Sequence, residues 1–251
     1  MVDRLRARSS VRTAVVWDVL RAALGERSSL AGRANLDILD AGGGTGNFAV
    51  PLAQLGHRVT VVDPSPDALA ALKRRAAETG VTERVRGVQG DAGGLLDVVS
   101  PGCADMVLCH GVLEMVDDPA DALANVVRAL RAAGTVSVLV ANRNAVVLSR
   151  AIAGHFAEAR HALEDPAGRW GGTDPMPRRF GVDELATLLV SVGLHVGPVH
   201  GIRVFSDLVP GAMVDVEPGA LDALLALESA AAEHPAFQTV ATQLHILATR
   251  E

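Results

Sequence analysis

Residues 35–47 read Asn-Leu-Asp-Ile-Leu-Asp-Ala-Gly-Gly-Gly-Thr-Gly-Asn, an apolar strand that runs into Asp40 and then Gly42, Gly43, Gly44 and Gly46. No other feature of the chain constrains its fold as tightly. A strand, a glycine turn and a helix start in immediate succession form the unit that binds nucleotide-type cofactors at the end of a parallel strand. Glycine permits positive φ and lets backbone N–H groups approach a ligand with no Cβ in the way. The helix that follows has unsatisfied N-terminal donors. The spacing narrows the cofactor. A dinucleotide fingerprint requires G-x-G-x-x-G, and counting from Gly42 the sixth position is Asn47. The pattern present is D-x-G-x-G-x-G, from Asp40 to Gly46.

That pattern resembles motif I of the class I S-adenosylmethionine (SAM) methyltransferases. SAM has no pyrophosphate to cradle. Its amino-acid tail carries an ammonium, which Asp40 would accept, and a carboxylate, which needs donors.

The remainder alternates strand and helix, the rhythm of a parallel sheet covered on both faces. Strands are predicted over 36–40, 58–63, 85–89, 105–110, 135–141, 195–205 and 239–249. Helices are predicted over 48–55, 66–79, 119–132 (stopped by Gly134), 144–158, 182–192 and 221–233. The fold class expected is therefore α/β: a Rossmann-like methyltransferase with a mostly parallel seven-stranded sheet, helices on both faces and a helical and loop cap. Residues 1–251 are read as one domain. Residues 142–180 contain no clear strand and are read as a substrate-cap insertion, because such loops beyond the strand ends carry the chemistry.

Composition excludes several classes. Hydrophobic residues make up 49 % of the chain but aromatics only 3 %, with no Tyr, so the core must be built from Ala, Val and Leu. The net charge of −6 argues against a broadly basic nucleic-acid binder. Residues 207–251 alone carry that whole deficit, which leaves room for a local basic surface elsewhere. Cys103 and Cys109 lack metal-ligand spacing and read as reduced thiols. No apolar run reaches the roughly 18 residues needed to span a bilayer, and no secretory apolar region follows the Arg-rich start. A soluble cytoplasmic protein with no metal is expected.

Asp63, at the end of the second strand, is placed to accept from both ribose hydroxyls, or else to cap the helix that follows. Asp91 and Ala92 follow the third strand, where Asp91 faces an adenine amine or serves only a turn. His110 ends the fourth strand, opens His-Gly-Val-Leu-Glu-Met-Val-Asp-Asp-Pro, and would lie beside the methyl sulfonium. Glu114 in that segment reads as an orienting residue.

Further segments narrow the likeness. Arg12 and Trp17 lie in a helix ahead of the glycine loop. Asn142, Ala153-Gly-His-Phe156, Pro177-Arg178, Gly201-Ile-Arg-Val-Phe205 and Leu224-Leu-Ala-Leu-Glu228 follow it in that order. The order resembles the tRNA 5-carboxymethoxyuridine methyltransferases over nearly the whole chain. The resemblance implies methyl transfer from SAM to the carboxylate of a modified wobble uridine, giving a methyl ester and S-adenosylhomocysteine, with the tRNA anticodon loop as partner. It also implies that Arg12, Gly42, Gly43, Asp63, Asp91, Ala92 and His110 contact SAM, with Asp40 and Gly44 completing the loop. A carboxylate acceptor is already ionised at pH 7 and needs no general base. It needs cations instead, and Arg203 is the first candidate, Arg178 the second. Arg143, Arg150, Arg160, Arg169 and Arg179 are candidates for phosphate, and Trp170 and Phe180 for a base-stacking platform. A small-molecule O-methyltransferase on the same fold is the alternative that the acidic balance and the thin basic cap allow. A SAM-binding protein without catalysis is the third reading.

Overall fold

The computed structural model describes residues 2–210, 213–214 and 218–251, with the backbone course alone for 2–11. Seven strands, β1 (Asp37–Ala41), β2 (Arg58–Asp63), β3 (Val85–Gln89), β4 (Ala104–His110), β5 (Leu130–Ala141), β6 (Leu194–Ile202) and β7 (Gln243–Arg250), form one sheet in the order β3-β2-β1-β4-β5-β7-β6. The pairs β1–β2, β1–β4, β2–β3 and β4–β5 are parallel. The central strands β1 and β4 are buried on nearly every residue, which is why they read as unbroken apolar runs. The edge strand β3 has three exposed residues and none fully buried. The strand order reverses between β1 and β4, the place where sheets of this kind bind ligands beyond their carboxyl ends, and there Asp40 sits level with Leu108.

By backbone contacts the chain divides into two compact units. One comprises Ala23–Leu139, Ala186–Gly197 and Leu247–Glu251; the other comprises Met1–Ala22, Val140–Leu185 and Pro198–Ile246. The first unit packs the central strands against helices through Leu52, Leu72, Leu123 and Val126, all buried. The core is mostly Ala, Val and Leu, as the scarcity of aromatics requires.

Strand β6 ends at Ile202 rather than at 205, so Arg203 lies just beyond it, and β7 starts at Gln243 rather than at 239; two further elements differ from the sequence expectation for reasons visible in the structure. The helix after Pro119 ends at Ala129, not at Ala132, and β5 starts at Leu130 rather than Thr135. A residue far along the chain satisfies this end: Arg250 donates to the carbonyls of Val127 and Leu130 (2.9 and 2.6 Å), and Gly102 N–H donates to that of Arg128 (2.9 Å). The chain then turns through Ala133, which sits at φ +55°. A left-handed non-glycine residue costs about 1–2 kcal/mol, and glycine gives back about half of that in lost chain freedom. Ala133→Gly is therefore expected to stabilise the protein by roughly 0.5–1 kcal/mol, measured as a higher urea midpoint with an unchanged slope.

The second difference is at 144–158, where one predicted helix is two, Arg143–Ile152 and Phe156–Glu164. Gly154 (φ +80°) ends the first. Its N–H donates to Ala151 O (3.0 Å) and that of His155 to Arg150 O (2.9 Å), the paired bonds of a Schellman turn. The Ala-Gly-His-Phe segment is thus a helix stop. Asn142 caps the first helix, its side chain accepting from Asn144 N (3.1 Å), while its amide donates to the carbonyls of Gln238, Thr239 and Ala241.

Among the described residues no helix is long and apolar enough to cross a membrane, and no group of three or more His, Cys, Asp or Glu side chains is placed to hold a metal ion.

Candidate active site

The glycine loop leaves β1 at the sheet's reversal point. Gly42 N–H donates to Val62 O (2.7 Å) at the end of β2, and Gly46 N–H closes a turn on Gly43 O (2.9 Å). Three of the loop glycines leave no room for a Cβ: at Gly46 (φ +81°) it would collide with Leu72 Cδ1. A Cβ on Gly42 (φ +72°) would meet Val112 Cγ2 at 2.5 Å, and one on Gly43 would collide with the Asp40 carboxylate. The loop therefore folds over Asp40 closely enough that no side chain fits between them.

Asp40 itself is 2 % exposed, and its Oδ2 has no hydrogen-bond partner among the described residues. Burial, with a smaller contribution from the Asp63 charge, pushes its carboxyl up to about 7. A buried, unsatisfied carboxylate costs free energy unless a cation or donor meets it.

Asp63 faces the loop from β2. Its Oδ2 accepts from Gly44 N and its Oδ1 from Ser65 N, both at 2.9 Å. The helix that starts at Pro66 is capped by Ser65, whose hydroxyl accepts from Ala68 N (3.2 Å), so Asp63 is not the cap. Asp91 Oδ1 accepts from Gly94 N (2.8 Å) and organises the turn after β3; Ala92 beside it is buried. His110 ends β4 with Nε2 2.7 Å from Ser137 Oγ and its ring edge-on to Phe48, 4.7 Å between centroids. Burial drives its pKa down to about 3, so the imidazole is neutral at pH 7. Glu114 is buried. Cys109 is buried and Cys103 half-buried, both free; burial, then the charges of Glu114 and Asp40, keeps the Cys109 thiol protonated.

The candidate cations Arg12, Arg178 and Arg203 all belong to the second unit. Arg12 Nη2 lies 3.3 Å from Asp207 Oδ1, and Arg203 Nε lies 3.1 Å from Asp207 Oδ2. Two guanidinium groups thus converge on one carboxylate. Arg203 is mostly buried and sits at φ +59°. Burial lowers its pKa, Asp207 and Glu228 oppose that, and Arg12 adds to it. Arg178 is half-buried.

Between residues 143 and 180 the other arginines are already matched by acids. Arg143 pairs with Glu184, Arg150 with Glu158, Arg160 with Glu164 and Arg169 with Asp165. Arg179 is buried and holds Asp174 with two bonds (2.7 and 3.1 Å) and Gly168 O with a third (2.8 Å). Its place is structural, which corrects the expectation of a phosphate contact. Phe180 is core, at 3 % exposure, and so is no stacking platform. Trp170 has the Arg150 guanidinium 3.9 Å over its ring. The sequence reading missed Asp207 altogether, and missed Ser137 as the partner of His110.

A family model described as a methyltransferase domain matches residues 39–138. The chain is 27 % identical over 245 residues to the tRNA 5-carboxymethoxyuridine methyltransferase of Escherichia coli (strain K12), covering 97 % of this chain and 89 % of that protein. It is 30 % identical over 173 residues to a ubiquinone biosynthesis O-methyltransferase of Burkholderia ambifaria (strain MC40-6), covering 69 % of each. The chain belongs to the class I SAM-dependent methyltransferases. An S-adenosylmethionine-dependent methyltransferase from Mesorhizobium loti, 20 % identical, shares its fold with a TM-score of 0.60 over 96 % of this chain and all of that one.

The residues of the methyltransferase fit the cofactor its family uses. The Asp40 oxygen without a partner among the described residues is what an ammonium group requires, and glycine at position 43 keeps a Cβ from colliding with that carboxylate.

Proposed function

We propose that this methyltransferase esterifies the carboxylate of 5-carboxymethoxyuridine at the tRNA wobble position, using SAM and releasing S-adenosylhomocysteine. The observation that carries the reading is the convergence of Arg12 and Arg203 on Asp207, which is a carboxylate-binding arrangement assembled within the protein. The near full-length similarity to the E. coli tRNA enzyme supports it. When bound, SAM supplies an electrophilic methyl group on a sulfonium. In this reading Asp40 takes the ammonium, Gly42, Gly43 and Gly44 admit the tail, Asp63 takes the ribose, Asp91 and Ala92 the adenine, and Arg12 the cofactor carboxylate. Neutral His110 lines the sulfonium. Arg203 holds the acceptor carboxylate bidentately, with Arg178 as a second cation, and residues 142–180 form the substrate cap. The acceptor is ionised at neutral pH, so the protein's contribution is to align it and exclude water.

A second reading is a small-molecule O-methyltransferase. It is favoured by the acid-matched arginines of 143–180, which leave little basic surface for phosphates, and by the similarity to the B. ambifaria enzyme. Labelled SAM given with tRNA carrying 5-carboxymethoxyuridine, and with unmodified tRNA, separates the two. Base-labile label on the modified tRNA alone is expected. No transfer to either tRNA by protein that binds SAM would reject the first reading for the second.

A further inference from the structure

The backbone around Arg203 is held more firmly than a surface turn requires. Arg203 is one of two described non-glycine residues at positive φ. Its carbonyl oxygen accepts from both the N–H (3.3 Å) and the hydroxyl (3.0 Å) of Thr242. The next three N–H groups all point at one carboxylate: Val204 N donates to Glu228 Oε2 (2.9 Å), and Phe205 N and Ser206 N donate to Glu228 Oε1 (3.0 and 2.7 Å). Successive amides turned inward in this way form an anion-binding nest, and a left-handed residue at its head is part of the geometry. Glu228 is 1 % exposed and reaches the nest from the helix Ala220–Ala232, whose other buried residues are alanines. An isolated buried carboxylate is costly. Three N–H donors offset that cost only if the chain keeps the one conformation that aims them together. That conformation also fixes where the Arg203 side chain leaves the backbone, and it sets Asp207, four residues on, against the Arg203 guanidinium.

We infer that Glu228 is a positioning residue for substrate recognition: its carboxylate, bound in the nest of Val204, Phe205 and Ser206 amides, locks Arg203 in its strained conformation so that the guanidinium is presented ready-made to an acidic acceptor. The inference rests on the reading of Arg203 as the acceptor's partner. Strain that persists only because the surroundings over-determine it is the pattern found at ligand clamps. A guanidinium that need not be ordered on binding keeps more of its binding energy.

The test is a cycle of Glu228→Gln, Arg203→Ala and the double variant in the full chain. It reads KM and kcat for tRNA carrying 5-carboxymethoxyuridine, the Kd for SAM and the thermal midpoint. Glutamine keeps the shape but turns one acceptor oxygen into a donor facing an N–H. The expected result for Glu228→Gln is a KM raised roughly tenfold or more, with kcat and SAM affinity within about twofold of the parent. In the Arg203→Ala background the same change should add less than twofold, because the group it positions is gone. Glu228→Asp, which keeps the charge, should fall between parent and Gln, and it serves as the test if the Gln variant does not fold. Equal, additive effects in the two backgrounds, or a parent-like KM for a folded Glu228→Gln while Arg203→Ala is impaired, would overturn the inference and leave the Arg203 reading standing. A parent-like KM for Arg203→Ala itself would remove that reading and this inference with it.

Discussion

Asp40→Asn is expected to weaken SAM binding roughly ten- to hundredfold, the cost of losing a charge-assisted bond of about 1.5–3 kcal/mol, while making the ligand-free protein more stable at pH 8. The two effects have opposite signs for one reason. Burial, reinforced by Asp63, raises the Asp40 pKa from 3.8 to about 7. Between those values the folded state holds a proton that the unfolded chain has released, so folding loses stability as pH rises through that window and regains it when the pH falls. Asparagine carries no such penalty. An ammonium brought against Oδ2, the oxygen without a partner among the described residues, requires the ionised form. Affinity of the parent protein should therefore climb as pH rises from 6 to 8 and level off above that, whereas the Asn variant should be weak and flat. Calorimetric titration with SAM or S-adenosylhomocysteine at three pH values, beside thermal melts of both proteins without ligand, gives every comparison. A parent affinity independent of pH, or an Asn variant that binds as well as the parent, would remove Asp40 from the cofactor site.

Features with a local cause were legible in the chain. The glycine loop was, because the motif itself places Asp40 against Gly43, where no Cβ fits, although the contact that also fixes Gly42 comes from Val112, 70 residues on. Strands β2 and β3 match their predicted limits and β1 and β4 lie within one residue of theirs; for β1 and β4, burial on both faces writes a continuous apolar run. Features with a distant cause were not. The helix that ends at Ala129 has its last carbonyls met by Arg250 and Gly102, which no window around Gly134 contains. Arg203 was singled out as a cation, but its left-handed backbone depends on Glu228 and Thr242, 25 and 39 residues later. One signal for Glu228 was present: it is a single acid in the run Leu224-Leu-Ala-Leu-Glu-Ser-Ala-Ala-Ala232, on a helix otherwise apolar at that point. A charge in such a place must find donors inside the fold. Arg179 was misread for the converse reason. Asp174, five residues before it, was visible throughout, and the pair closes the loop on itself.

Arg203→Ala is expected to lower kcat/KM for a carboxylate acceptor by about a hundredfold or more, since truncating one partner of a desolvated charge pair formed on binding costs about 2–5 kcal/mol. SAM affinity should hold within a factor of two. The loss should depend on the acceptor's charge: a modified uridine whose carboxylate is replaced by a neutral amide has nothing to offer a guanidinium, and binding of that analogue should be equally weak to parent and variant. Arg203→Lys restores the charge but not the planar fork, so it should recover only part of the activity. With the Arg203 side chain removed, Arg12 remains as the partner of Asp207, so the aspartate is not stranded and the variant should fold. Steady-state methyl transfer with the two acceptors, read against the parent, decides the matter. If Arg203→Ala transfers methyl groups to the carboxylate acceptor as efficiently as the parent, the paired arginines serve the fold of the second unit, and the acceptor is a group that needs no cation, such as the hydroxyl of a small molecule.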